Sequence, residues 1–482
     1  MGKNIEVSSK GGYKAIVILV CIIAALGGLL FGLDQGFIAN SLPTIEKVYH
    51  LGTQGGEDYA AILATGGVVG ALLSGFFARF LGRKKSLVFA GFLFVAMSII
   101  SAFLPPISIL SACRFGLGFA VGVASFVVPL YLSETAPSSI RGAMGTLFQL
   151  MICMGIFLIS LANVYIAKIF INEHTALPLM FLVIALFAAI MFIGSFFLPE
   201  SPRWLMLKGY KDRALNVLHR TLNSEDEINT EIDEIERAIK GSGRNFKSIV
   251  FKGYFIKILI VGLLLQVFQQ LVGINLMVYY APTIFGYAGM HGLVAMMIVP
   301  TVLMLFTIPA IWLVERWGRK KLMYIGAAVM GISMVTAGLS FLAIGNVTDP
   351  SLIGSVPKVI LLISAVVYVL GFAFSWGPCV WLVCSEIFPI EGREIGMTLT
   401  TMVNWTFAAM VMGYSLTFMH LFGNYSIFIL FAVFCGLAIL FLKFFVPETK
   451  GISLEEIEFN LKKGKKLKDL GKFDPSDANQ VK

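Results

Sequence analysis

The sequence predicts an all-α membrane protein with twelve transmembrane helices in two pseudo-symmetric six-helix bundles and amphipathic helices on the cytoplasmic side. Three observations carry that expectation. Of 482 residues, 57% are hydrophobic and only 13% are charged, whereas soluble chains run nearer half and a quarter. The apolar residues come in long runs, and because a spanning helix needs about 20 residues, twelve spans consume roughly 250. Short motifs also recur in the same order in the first and second parts of the chain.

Taken in order, the apolar runs fall near 15–38, 59–80, 86–104, 108–131, 143–168 and 177–198, then near 255–285, 292–314, 322–345, 357–384, 396–420 and 425–446. The first is too long for a signal-peptide core and reads as a retained helix. The chain thus divides into a bundle over 1–198, a cytoplasmic linker over 199–254, a second bundle over 255–446 and a cytoplasmic tail over 447–482. In the linker, Ser224 and Glu227 have capping-box spacing. Ile228, Ile232, Ile235 and Ile239 then mark one face of an otherwise acidic helix. The tail repeats the device with Ser453, Glu456, Leu454, Ile457 and Leu461. Both helices are expected to lie against the membrane domain.

The net charge of +9 is explained by placement. Basic residues cluster between runs, at Arg79, Arg83, Lys84 and Lys85, at Arg316, Arg319, Lys320 and Lys321, and along the tail. That is the positive-inside pattern, with both termini cytoplasmic. No basic groove interleaved with aromatics appears, so nucleic acid is not an expected partner. The six cysteines all lie in apolar runs and read as packed thiols. The five histidines form no ligand spacing, and no phosphate loop or HExxH is present, so neither a metal site nor catalysis is expected.

Repetition gives the architecture its symmetry. Leu81–Lys85 is echoed by Trp317–Lys321, Ser133-Glu134 with Arg141 by Ser385-Glu386 with Arg393, and Pro199-Glu200 by Pro447-Glu448, at offsets of 236, 252 and 248 residues. Two homologous halves suit a carrier whose site lies between them.

Within the runs, a few polar residues stand out. Asp34 sits deep in the first, where a lone carboxylate costs about 2.5–3.5 kcal/mol on insertion scales. Its natural partner is Arg114, followed at four-residue steps by Gly118 and Gly122, a face that admits a neighbouring helix closely. Gln149, Gln269, Gln270, Asn275 and Asn404 are amides inside apolar helices. Each offers a donor and an acceptor, which suits either hydroxylated ligands or bonds between helices. Phe31, Tyr279, Phe372, Trp376, Trp381 and Trp405 could offer flat apolar faces to a bound solute. The recurrent acids and bases Arg83, Glu134, Arg141, Glu200, Arg319, Glu386, Arg393 and Glu448 are expected to form ion-pair networks between the halves that close the cytoplasmic side.

At the motifs Gly75–Lys85, Arg114-x3-Gly118-x3-Gly122, Ser133–Gly142, Pro199–Trp204, Gln269–Tyr280, Glu315–Lys320, Ser385–Arg393 and Pro447–Lys450, the chain resembles the major facilitator superfamily. It is most similar to the bacterial galactose-, arabinose- and xylose–proton symporters of the sugar porter family. The resemblance implies the major facilitator fold and import of a monosaccharide with a proton, galactose- or glucose-like solutes being favoured. It further implies that Asp34 and Arg114 couple the proton, and that Phe31, Gln149, Ile156, Gln269, Gln270, Asn275, Tyr279, Phe372, Trp381, Asn404 and Trp405 bind sugar. Tyr280 joins Tyr279 at an outer gate. No cofactor is implied beyond the proton as coupling ion, and the expected partners are the sugar, protons and the lipid of an inner membrane, around a functional monomer. Two departures from the family pattern stand out: Arg79 replaces an acid after Gly75, and Leu303 stands where the eighth helix usually offers an asparagine to the sugar. Uncoupled facilitated diffusion is the alternative that Asp34 and Arg114 argue against. A non-transporting sugar sensor is a third reading, against which the short tail argues.

Overall fold

The computed structural model describes residues 15–135, 141–222, 224–242, 252–345, 354–389, 392–452 and 454–472. The first six apolar runs become α1 (Ala15–Val48), α2 (Thr53–Phe80), α3 (Arg83–Ala102), α4 (Ile107–Thr135), α5 (Arg141–Ile169) and α6 (Glu173–Phe197). Three linker helices follow, α7 (Pro202–Leu207), α8 (Lys211–Thr221) and α9 (Glu225–Ser242). The second half comprises α10 (Gly253–Leu271), α11 (Ile274–Tyr287), α12 (Leu293–Trp317), α13 (Arg319–Ile344), α14 (Ser355–Ala373), α15 (Trp376–Ile387), α16 (Arg393–Phe422) and α17 (Ser426–Phe444), and the tail helix is α18 (Leu454–Lys462). Among the described residues twelve spans are long and apolar enough to cross a membrane, counting α10 with α11 and α14 with α15 as one each.

Packing repeats with the motifs. In the first half α1 lies on α5, α2 on α4 and α3 on α6; in the second, α10 lies on α16, α12 on α14 and α13 on α17. Across the halves the principal contacts are α2 with α16, α5 with α12 and α1 with α11. The close approach foreseen for α4 is present: a Cβ on Gly118 would lie 1.9 Å from the Leu63 carbonyl oxygen of α2.

The halves differ in one respect that apolar periodicity does not reveal. Two spans of the second half are broken at mid-membrane. Between α10 and α11, Gly273 adopts φ +98°, and a Cβ there would also strike the Phe431 ring at 2.5 Å. Between α14 and α15 the cause is Pro378, which has no N–H for the Phe374 carbonyl and whose ring opposes it. Inside a membrane such breaks need internal partners. Tyr368 Oη donates to the Val272 carbonyl at 2.9 Å, and Gln269 Nε2 donates to the Trp376 carbonyl at 3.1 Å.

In the linker Ser224 Oγ accepts the Glu227 N–H at 3.2 Å, as the capping spacing predicts. Ile228 and Ile232 are buried, but against Leu218 and Met206 of α7 and α8 rather than directly on the membrane helices. The short helices intervene because they too carry an apolar face. In the tail, Leu461 and Leu470 join the core of the membrane domain. Ser453 and the side chains of Ile239 and Leu454 lie outside the described residues.

Candidate functional site

Both helix breaks open on a cavity of about 70 Å³ at the seam of the halves. The first half supplies Phe31 and Gln35 from α1 and Gln149, Cys153 and Ile156 from α5. The second supplies Gln269, Gln270, Asn275, Leu303, Phe372, Trp381 and Asn404. The wall is thus polar mainly on the broken side, because a broken helix turns amides and carbonyls inward.

The amides are organised around Asn404. Its Nδ2 donates to Gln266 Oε1 and to Gln269 Oε1, both at 2.7 Å, and its Oδ1 accepts from Gln270 Nε2 at 3.1 Å. Asn275 Nδ2 then donates to Gln270 Oε1 at 2.6 Å. Three helices, α10, α11 and α16, are therefore tied together, and every member carries donors and acceptors that a polyhydroxylated solute can take over. Gln266, fully buried, belongs to this network although sequence reading passed over it. The cavity residue Gln35, hidden beside Asp34, was passed over as well. The rule that singled out Gln149, an amide within an apolar run, would have found both.

Tyr279 and Trp405 do not line the cavity. Tyr279 sits a helical step round α11 from Asn275 and Val278, which do, and it is fully buried. Trp405 packs on Phe31 with ring centroids 5.1 Å apart and backs the wall. Trp376 is also buried, its indole N–H held by the Met323 carbonyl at 3.0 Å, which makes it a brace for the break. Leu303 does enter the wall, an apolar patch where an amide would have given one more bond.

Asp34 and Arg114 form a completely buried pair, Arg114 Nη1 donating to Asp34 Oδ1 at 2.5 Å. The guanidinium also stands 5.7 Å from the centroid of the Tyr59 ring. Phe31 and Gln35 flank Asp34 on α1 and line the cavity while Asp34 turns to α4. One turn of one helix therefore faces the solute site on one side and the ion pair on the other. The pair rests on a single hydrogen bond.

The Arg83–Glu134 pair is different. It is bidentate, at 2.8 and 2.7 Å, and Glu134 also accepts from Ser201 Oγ at 2.5 Å. Its second-half counterpart joins Arg319 to Glu386 at 3.0 Å and to Glu315 at 3.1 Å, with Thr449 donating to Glu386 at 2.5 Å. Glu200 and Glu448 cap the starts of α3 and α13, accepting the backbone N–H groups of Arg83 and Lys84 and of Arg319 and Lys320. Burial pushes the Glu200 carboxyl above its ordinary range despite those donors. These networks lie within each half, not between halves as the sequence reading expected, because each arginine opens a helix whose own bundle supplies the acids. Among the described residues, a link across the halves joins Arg83 to Glu394 at 3.9 Å, on the side where Arg79 replaces an acid. Arg393 is half-buried, and the side chain of Arg141 lies outside the described residues.

A solute cavity at the seam of two six-helix halves, walled by amides where helices break and flanked by a buried acid–base pair, defines a secondary carrier. Residues 20–461 match the family described as Sugar (and other) transporter, and the chain belongs to that family. It is 40% identical over 466 residues to the galactose-proton symporter of Escherichia coli strain K12, covering 96% of this chain and 98% of that protein. It is 35% identical to the arabinose-proton symporter of the same strain, covering 94% of this chain and 95% of the relative. Its fold matches the proton:xylose symporter XylE bound to 6-bromo-6-deoxy-D-glucose with a TM-score of 0.78, at 27% identity, covering 94% of this chain and 98% of that one. The protein is a multi-pass membrane transporter, not an enzyme.

Proposed function

We propose that the protein imports a monosaccharide together with a proton, rocking its two halves about the cavity. The family and its galactose-, arabinose- and xylose-transporting relatives support a sugar as the solute and the proton as the coupling ion, with no cofactor indicated. A hexose of the galactose or glucose type is favoured over a pentose. Asp34 carries the proton and Arg114 competes with it for the carboxylate. Asn404, Gln269, Gln270, Asn275 and Gln149 take the sugar hydroxyls, while Phe31, Phe372, Trp381 and Ile156 face the ring. The bidentate cytoplasmic pairs stiffen each half so that it moves as a body. The protein acts as a monomer in an inner membrane with both termini in the cytoplasm.

The observation that carries this reading is the position of Asp34, one face of α1 away from the cavity and tied to Arg114 by one bond. Sugar binding that shifts α1 shifts the ion pair with it. The test is sugar-induced proton uptake in proteoliposomes holding an internal pH dye, with galactose, glucose, arabinose and xylose added in turn. Acidification with one sugar, lost in Asp34→Asn while labelled sugar still equilibrates, is the expected result. Equilibration of sugar with no pH change in the unaltered protein would reject coupling and leave a uniporter.

A further inference from the structure

We propose that Glu57 is the latch joining the outer ends of the two halves, and that a proton reaching it from the external side releases it. The proposal rests on the proton–sugar reading above and adds to it a gating residue distinct from Asp34. Glu57 lies near the start of α2 in the first half and is fully buried. Its Oε1 accepts the backbone N–H of Leu416 at 2.5 Å, and its Oε2 accepts that of Thr417 at 3.1 Å and the Thr417 hydroxyl. All three donors belong to α16 in the other half. Gln54, just before Glu57 on α2, reinforces the seam by accepting from the Thr417 hydroxyl at 2.8 Å.

The site on α16 is specific. In an undisturbed α-helix the Leu416 N–H pairs with the Met412 carbonyl, four residues back. Here that carbonyl accepts from Tyr280 Oη of α11 at 2.5 Å. Tyr280 and Glu57 thus take the two members of one helical hydrogen bond, Tyr280 from within the second half and Glu57 from across the seam. The turn of α16 that the tyrosine engages is the turn on which the carboxylate closes.

Asp58 also bears on Glu57, and among the described residues no cation is paired with it. The titratable groups facing it are Glu46 on α1, Asp58 on α2, and Tyr280 and Tyr287 on α11. His420 of α16 stands beside Tyr287. Glu46 packs so near that a Cβ on Gly56 would lie 2.0 Å from its Oε1. Lys47, the nearby base on α1, is turned instead to Glu173 at 3.3 Å. The ionised carboxylate offers two acceptor oxygens and both are used. Protonation makes Oε2 an O–H against the Thr417 N–H. The Thr417 hydroxyl can turn to accept that proton while donating to Gln54, but the N–H loses its acceptor and the remaining bonds lose their charge. The clamp therefore weakens across the seam, and external acid opens the outer gate when Asp34 is to be loaded.

Cys153 lines the cavity and reports that opening. In right-side-out membrane vesicles, a membrane-impermeant maleimide added outside should label Cys153 slowly at neutral external pH and faster in mild acid, every rate being taken relative to that of a small free thiol at the same pH because the thiolate is the reacting form. Glu57→Gln puts an NH2 where an acceptor is needed, so its labelling at neutral pH should be roughly tenfold faster, the scale set by losing a hydrogen bond to a charged group, and flat with pH. Asp34→Asn should keep the pH response. Thr417→Val, which leaves the helix backbone intact, should speed neutral labelling by a smaller factor and keep the response. Glu57→Gln labelling as slowly as the unaltered protein with the same response, or a response abolished by Asp34→Asn, would overturn the latch. If Glu57→Gln does not reach the membrane, unchanged labelling in Thr417→Val or a flat profile in the unaltered protein overturns it as well. The readout needs no sugar, so failure of sugar-driven proton uptake, which would reject the transport reading, is seen separately.

Discussion

At the scale of single residues, the site is a set of amides whose partners are one another. Asn404 is the hub, bonded to Gln266, Gln269 and Gln270. Asn404→Leu leaves three buried amides short of partners, each costing about 1–3 kcal/mol. Sugar affinity should fall by roughly ten- to a hundredfold for one such lost bond in the complex, read as a rise in the KM of uptake. Gln35→Ala, by comparison, removes an amide from the cavity wall without dismantling that network, so it should raise KM by a smaller factor while leaving thermal stability near that of the unaltered protein. The amides inside apolar runs were legible in the sequence because no other residue class there offers both donor and acceptor at low desolvation cost. Their mutual pairing was not, since it joins α10, α11 and α16 across more than a hundred residues of chain.

At the scale of elements, the decisive features are the two breaks. Gly273→Ala should destabilise the protein, since a left-handed backbone costs an L residue about 1–2 kcal/mol before the contact with Phe431 is counted. A lowered melting temperature in detergent, with weakened sugar binding, is the expected outcome. Both breaks were written in the chain, as a glycine after Gln269-Gln270 and as Pro378. A hydropathy pattern cannot register them, because a kinked span and a straight one carry the same apolar residues. The linker helices show the converse. Capping and apolar spacing announced α9 correctly, yet its packing surface is another short helix, a choice that depends on which apolar faces meet in space.

At the scale of the whole molecule, the ion pairs separate into stiffeners and moving parts. Arg83 and Glu134 are almost fully buried, and removing one partner of such a pair costs about 3–5 kcal/mol. Arg83→Ala should therefore lower thermal stability sharply, with Glu134→Gln restoring part of it in the double variant. The pair between Arg83 and Glu394 is long, and the glutamate is largely exposed, so a double-mutant cycle on it should give under about 1 kcal/mol of coupling. That weakness fits a contact that forms and breaks as the halves rock.

The sequence by itself determined the class of the protein, its twelve spans, its two-fold repetition and the residue types of its site, because each is a local property: run length, charge placement, or a polar group in an apolar helix. Only the tertiary structure decided where those groups point and which half they belong to. It turned the expected bridges between halves into braces within them, withdrew Tyr279 and Trp405 from the cavity wall, and brought Glu57 against an α16 turn far along the chain. Such pairings follow from the packing of one bundle on the other, and no spacing within either half encodes the distance between two side chains that meet across the seam.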